Sequence, residues 1–146
     1  LKAFPEAKII HLKRDAMAVC WSIYQRHFPN VSLGFPYNMK DLAQFYNSYS
    51  ELMNFWHELF PNQIYDLSYE NLTTNQENET RKLLEYCELD WDENCLNFYT
   101  NKRAAKTASS LQVKEKMYQG SSEIWKKYEP YLKPLINELG YYQEKL

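Results

Sequence analysis

The 146-residue sequence has little glycine and only a small surplus of acidic over basic side chains. With only three glycines, it has no glycine-rich loop of the kind that wraps a phosphate group. Its 17 basic and 19 acidic side chains give a net charge of −2, which excludes a general attraction to nucleic acid or to an anionic membrane. No apolar run approaches the roughly 20 residues that a membrane-spanning helix needs. Any anion site must therefore be built locally.

Cysteine and histidine are also scarce. Cys20, Cys87 and Cys95 are odd in number and lack metal-ligand spacing, so we predict free thiols, no metal site and a reducing, cytoplasmic compartment. The three histidines form no arrangement with serine, cysteine or aspartate that specifies catalysis, and no catalytic residue is predicted. His11 lies in the middle of an apolar run, where a core histidine bonded to the backbone is expected.

What the sequence does contain is a strand-and-helix pattern rich in aromatic residues, which make up 16% of the chain. Residues 7–13 are nearly all apolar and predict a strand covered on both faces. Helical spacing follows over residues 17–27 and again over residues 42–59, where it gives one apolar face. A second strand is predicted at residues 64–70, and its pairing with the first should be parallel. The predicted fold class is α/β, mostly helical with a small parallel sheet.

The second half of the chain carries helix-boundary signals. Thr74 and Asp90 each precede a glutamate by three residues, a capping box that predicts a helix start. Residues 101–116 have weak periodicity and predict a loop. Ser121 is predicted to cap a closing helix, and Gly140 to end the last one.

The most informative local signal is Arg14, at the end of the first predicted strand, with Ser22 two helical turns further on. Ligands of open α/β sheets collect at the carboxyl ends of strands, where helix N-termini also point. A guanidinium offers a planar fork of donors and a hydroxyl offers one adjustable donor, so the two can hold a phosphate. The alternative is that Arg14 pairs with Asp15 or another carboxylate at the strand end.

Two further segments could contact a nucleotide. Tyr69 follows the second strand, and its ring could stack on a base, although a core tyrosine is the alternative. Residues 106–114 form a basic stretch rich in hydroxyl groups, including Ser109. This stretch suits either a phosphate or sulfate clamp or an ordinary solvated loop.

Taken in order, three segments resemble one family. They read Ala-Lys-Ile-Ile-His-x-x-Arg-Asp…Ser, then Tyr-Glu-Asn-Leu, then Thr-Ala-Ser-x-x-Gln-Val-Lys…Trp-x-x-Tyr-Glu. The order is similar to that of sulfotransferases that use 3′-phosphoadenosine 5′-phosphosulfate, most closely the bacterial tetratricopeptide-associated and tyrosylprotein types. The resemblance implies that Arg14 and Ser22 hold the 3′-phosphate, that Tyr69 contacts the adenine and that Ser109 lies near the nucleotide.

The sequence departs from the family pattern in two ways. Gln119 and Ile124 stand where the family usually has basic residues. The loop that grips the 5′-phosphosulfate and the catalytic base precede the Arg-Asp segment in the family, and neither is found here. We therefore expect residues 1–146 to form a single sulfotransferase-like domain, truncated at its N-terminal side, that holds half of the co-substrate site for transfer to a hydroxyl or amine acceptor.

A second interpretation belongs to another class. The chain could be a non-catalytic helical interaction module, or an inactive fragment, that pairs with a second copy through an exposed sheet edge. Titration with 3′-phosphoadenosine 5′-phosphate separates the two interpretations, because only the first requires that Arg14 bind this nucleotide.

Overall fold

The structure, a computed structural model, describes residues 4, 6–28, 33–100 and 114–141. Its strands and α-helices are β1 (Ile9–Lys13), α1 (Ala16–Tyr24), α2 (Met39–Leu59), β2 (Ile64–Ser68), α3 (Tyr69–Thr74), α4 (Gln76–Tyr86) and α5 (Lys133–Leu139). Short 3-10 helices cover Phe35–Tyr37, Glu93–Cys95 and Phe98–Thr100, and a longer one covers Ser121–Tyr131. The predicted fold class, mostly helical with a small parallel sheet, is confirmed.

The chain forms two compact units. Residues 1–13 and 64–119 make up the first, here called the sheet unit, and residues 14–63 and 120–146 make up the second, here called the helical unit. Within the described ranges, no helix combines the length and the apolar character needed to cross a membrane.

Two parallel strands define the sheet unit. β1 pairs with β2 in a register that runs from Ile9 opposite Ile64 to Lys13 opposite Ser68. Parallel strands cannot be joined by a tight turn, and here the connection runs through α1 and α2. Both predicted strands and their parallel pairing are confirmed.

One face of the sheet is covered unevenly. Tyr65 stacks on Tyr86 of α4 with ring centroids 5.0 Å apart, and Leu67 is buried. On β1, however, Ile10 is 46% exposed and Leu12 is 54% exposed. The prediction that this strand is covered on both faces was wrong, because α4 packs over β2 and leaves the same face of β1 open in the described part of the unit.

Two predicted helix starts are displaced. The Thr74 hydroxyl donates to the carbonyl of Glu70, because Thr74 ends α3 instead of opening the next helix. Asn75 takes the N-cap position of α4 without a side-chain hydrogen bond. Further on, Asp92 and not Asp90 caps a short 3-10 helix, accepting from the backbone N–H of Asn94 at 2.8 Å.

The helical unit has its own apolar core. Apolar side chains from α1, α2, α5 and the Ser121–Tyr131 helix meet there: Met17, Ala18, Cys20, Leu42, Ala43, Trp125, Leu132, Leu135, Ile136 and Leu139. Gly140 ends α5 in the left-handed conformation with φ 62°, as predicted. Burial of these side chains is the main force that holds the unit together.

The apolar face predicted on α2 is present but only partly buried. Leu42, near the start of the helix, is fully buried. Further along, large side chains are exposed by one third to one half: Phe45, Leu52, Phe55, Trp56 and Leu59. The predicted period is therefore confirmed, while among the described residues little covers the rest of the stripe.

The closing helix differs from the prediction in type. It is a 3-10 helix, and it begins after Gly120, whose φ of 88° a side chain would strain, so Ser121 is not its cap. With three residues per turn, Ser122 and Trp125 share the buried face. Ile124, which an α-helical period places inward, is exposed instead.

Candidate functional site

Arg14 and Asp15 lie where β1 ends and α1 begins. Asp15 is the N-cap of α1, and its Oδ1 accepts a hydrogen bond from the backbone N–H of Ala18 at 2.9 Å. Aspartate is among the preferred N-caps because its carboxylate satisfies an N–H group that the helix itself leaves unbonded. This cap fixes the backbone next to Arg14.

The other oxygen of Asp15 is also engaged. The Tyr141 hydroxyl, from the residue after Gly140, donates to Oδ2 of Asp15 at 2.5 Å. Burial, together with this hydrogen bond to a carboxylate, raises the pKa of the Tyr141 phenol above its usual value. The Tyr141 ring also meets Trp125 edge-on at 5.4 Å. The start of α1 is thereby joined to the end of α5.

The Arg14 side chain is fixed by a residue that sequence reasoning missed. Its Nε donates to Oγ of Ser122 at 3.1 Å, and Ser122 is only 7% exposed. The Arg14 carbonyl also accepts from the Tyr46 hydroxyl of α2, at 3.5 Å. These contacts hold the Arg14 side chain against the Ser121–Tyr131 helix and its backbone, which comes directly before the N-cap of α1, against α2.

Ser22 lies seven residues beyond the cap, half-buried on α1. At 1.5 Å per residue it sits about 10 Å further along the helix axis, close to the same angular position as Asp15. Arg14 and Ser22 belong to the same unit. The Nε of Arg14 donates to Ser122.

The other two predicted nucleotide contacts lie elsewhere in the chain. Tyr69 is the first residue of α3 in the sheet unit and is half-buried. It follows β2 directly, and the Ser68 hydroxyl caps α3 by accepting from Asn71 N at 3.2 Å. Ser109 lies outside the described residues.

His11 contacts a side chain on the neighbouring strand. Its Nδ1 lies 2.7 Å from Oδ1 of Asp66, the residue directly opposite on β2, so a carboxylate bonds the ring. The pair becomes predictable only when the register is known, because the register places His11 opposite Asp66.

The three cysteines are free thiols, as predicted. Cys20 is fully buried on α1, whereas Cys87 is half-buried. Burial, and to a lesser extent the charge of Asp15, raises the pKa of Cys20 to about 12. The Cys20 thiol is therefore protonated at neutral pH and unsuited to nucleophilic chemistry.

Comparison with known proteins adds an independent finding. Residues 1–93, which include β1, α1, α2, β2 and α4, match the sequence model of a family described as the sulfotransferase family. An uncharacterized protein of Aquifex aeolicus is 43% identical to the chain over 141 residues, which is 95% of this chain. The chain spans only 18% of the length of that relative.

Proposed function

This chain belongs to the sulfotransferase family, and we propose that it holds the 3′-phosphate and adenine side of 3′-phosphoadenosine 5′-phosphosulfate. In this proposal Arg14 and Ser22 bind the 3′-phosphate, Tyr69 contacts the adenine and Ser109 lies beside the nucleotide. The observation that supports it is Arg14, which follows the last residue of a parallel strand in the chain, precedes the N-cap of α1 and has its guanidinium held by Ser122.

Because the N-cap of α1 is the acidic residue Asp15, a phosphate bound beside it needs a nearby cation such as Arg14. Asp15 places a negative charge at the N-terminus of α1 and occupies the N–H of Ala18. An anion at this position would gain less from the helix dipole than it would at an uncharged cap. Attraction must then come from a cation, and Arg14 supplies one whose terminal nitrogens can bind a phosphate through two parallel hydrogen bonds.

The proposed reaction is that of a complete enzyme of this family. An acceptor hydroxyl or amine attacks the sulfur, the bond from sulfur to the bridging oxygen breaks, and 3′-phosphoadenosine 5′-phosphate leaves with that electron pair. The acceptor proton passes to a base that we do not assign to this chain. Because the 3′-phosphate does not change during transfer, Arg14 would bind substrate and transition state alike and so lower KM more than it raises kcat.

Isothermal titration calorimetry with two nucleotides tests the proposal. 3′-Phosphoadenosine 5′-phosphate carries the 3′-phosphate, whereas adenosine 5′-monophosphate does not. Arg14→Ala should weaken binding of the first by roughly 10- to 150-fold, the equivalent of about 1.5–3 kcal/mol for a hydrogen bond to a charged group. Binding of the second should change little.

The matched control is Lys13→Ala, which removes an exposed positive charge one residue away. It should reduce affinity by less than about twofold, because exposed charges are screened at physiological salt. Equal losses for both variants, or wild-type affinity in Arg14→Ala, would contradict the proposal, as would a wild-type protein that does not bind 3′-phosphoadenosine 5′-phosphate.

Exposed apolar residues on β1 favour a second candidate function, a non-catalytic module that pairs with another copy of itself. Ile10 and Leu12 are each about half exposed on an edge strand, and such edges readily pair with other chains. This candidate predicts concentration-dependent dimerisation in sedimentation velocity that Leu12→Lys abolishes, together with no affinity for 3′-phosphoadenosine 5′-phosphate.

A further inference from the structure

Ser122 stands out among the polar side chains of the protein. In the described part of the chain it is the one buried residue that is polar or charged, with 7% of its surface exposed. It lies on the Ser121–Tyr131 helix three residues before Trp125, the largest fully buried side chain. A buried hydroxyl is unfavourable unless it is hydrogen-bonded, so a serine at this position needs a partner.

Arg14 is such a partner, and the atom it uses matters. The bond runs from Nε to Ser122 Oγ at 3.1 Å. A guanidinium is planar, and Nε lies on the inner side of the fork whose two terminal nitrogens carry the other four N–H groups. Fixing Nε therefore fixes the plane and the direction in which the terminal nitrogens point.

The backbone beneath the side chain is fixed as well. Asp15 accepts from Ala18 N at 2.9 Å and from the Tyr141 hydroxyl at 2.5 Å, which ties residue 15 to both α1 and α5. With the backbone held, the remaining freedom of Arg14 lies in its long side chain. The hydrogen bond to Ser122 restricts that freedom before any ligand arrives, and ordering a side chain in advance reduces the cost of binding.

We propose that Ser122 is a positioning residue that aims Arg14 at the 3′-phosphate of the nucleotide. This role rests on the proposed function, because it requires that Arg14 bind that phosphate. Ser122 acts through Arg14 and need not touch the ligand. Its hydroxyl holds the guanidinium in the orientation that binding requires, as supporting hydrogen bonds do for other binding residues.

Calorimetry with 3′-phosphoadenosine 5′-phosphate and adenosine 5′-monophosphate provides the first test. Ser122→Ala should weaken binding of the 3′-phosphorylated nucleotide by about three- to tenfold and leave the other unchanged. Ser122→Thr keeps the hydroxyl and should restore most of the affinity. Ser121→Ala, which removes the neighbouring hydroxyl, is the matched control and should bind as the wild type does.

A second test uses the Arg14→Lys background, since lysine has no Nε–H group that could donate to Ser122. In that background Ser122→Ala should cause no further loss of affinity. A loss of the same size as in the wild-type background would show that Ser122 acts independently of Arg14 and would overturn the proposal.

Nuclear magnetic resonance of the arginine Nε–H groups gives a readout that does not require ligand. The Arg14 signal, assigned by its disappearance in Arg14→Lys, should be sharp in the wild type and should shift and exchange faster with water in Ser122→Ala. An unchanged signal would overturn the positioning role. Binding that depends on Arg14 but ignores Ser122 would overturn this role alone, whereas a wild type without nucleotide affinity would overturn the proposed function and this role together.

Discussion

The hydrogen bond between Tyr141 and Asp15 should be one of the largest single polar contributions to the stability of the helical unit. The Asp15 carboxylate accepts two hydrogen bonds. Its Oδ1 accepts from the backbone N–H of Ala18 and so caps α1, and its Oδ2 accepts from the Tyr141 hydroxyl. Tyr141→Phe removes only the second bond, and Asp15→Ala removes both. A double-mutant cycle can therefore separate the contribution of the Tyr141 bond from that of the helix cap.

The expected magnitudes follow from the bond types. A hydrogen bond to a charged group contributes about 1.5–3 kcal/mol, which is the expected cost of Tyr141→Phe. Loss of an N-cap adds about 0.5–2 kcal/mol, so Asp15→Ala should cost about 2–5 kcal/mol. Because both variants lose the same bond, the double variant should cost about 1.5–3 kcal/mol less than the sum of the two.

The cycle should be measured at neutral pH, where the phenol is protonated in the folded and unfolded states. Its raised pKa in the fold means that the contribution of Tyr141 is fully present below the ordinary tyrosine pKa of about 10. It is lost as pH rises above that value, because the unfolded chain then releases a proton that the folded chain retains.

Urea unfolding followed by tryptophan fluorescence provides the free energies, and Trp125, in contact with the Tyr141 ring, reports on this region. The control is Asn38→Ala, which removes the N-cap of α2, a side chain that accepts from Lys40 N and Asp41 N. Its cost should add to that of Tyr141→Phe within about 0.5 kcal/mol. Additivity of Asp15→Ala and Tyr141→Phe to the same precision would refute the argument.

Two further predictions concern the core of the helical unit. Leu135→Ala, at a fully buried position, should reduce the free energy of unfolding by about 2–5 kcal/mol. Leu52→Ala is the control, because Leu52 is 51% exposed on α2, and it should change this free energy by less than about 0.5 kcal/mol. Equal effects of the two variants in urea titrations would contradict the assigned core. In the wild type the free energy of unfolding should fall as pH rises above about 8.5, because the Cys20 thiol ionises there in the unfolded chain but stays protonated to about pH 12 in the folded one. In Cys20→Ala it should fall less steeply over the same pH range. Parallel stability curves of this variant and the wild type between pH 8 and 10 would show that the thiol is not shielded from water.

Features encoded by short-range pattern were predictable from the sequence. The apolar runs around Ile9 and Ile64 specify two strands, and the intervening helices force parallel pairing. The three- and four-residue spacing over α2 specifies its length within a few residues. Gly140 specifies the end of α5, because the left-handed conformation there suits a residue without a side chain.

Coverage of an apolar surface was less predictable, because a pattern specifies that residues are apolar and not what packs on them. Ile10 and Leu12 have the character of a strand buried on both faces, yet they are about half exposed. The capping box at Thr74 failed for a related reason. The same local sequence can open one helix or close the preceding one, and here the Thr74 hydroxyl turned back to the carbonyl of Glu70.

The candidate site shows most clearly where short-range pattern stops being informative. The place of Arg14 between a strand and a helix was enough to identify it, but Ser122 and Tyr46, which contact it, lie in distant parts of the chain. Ser122 lies 108 residues away and Tyr46 lies 32 residues away. An α-helical period over residues 121–131 predicts that Ile124 faces inward, and it does not single out Ser122. The observed 3-10 period of three places Ser122 beside Trp125 on the buried face, where its hydroxyl meets the guanidinium. Because Ser122 and Trp125 have the same angular position in a 3-10 helix, this type of helix favours Ser122 over Ser121 as the partner of the arginine.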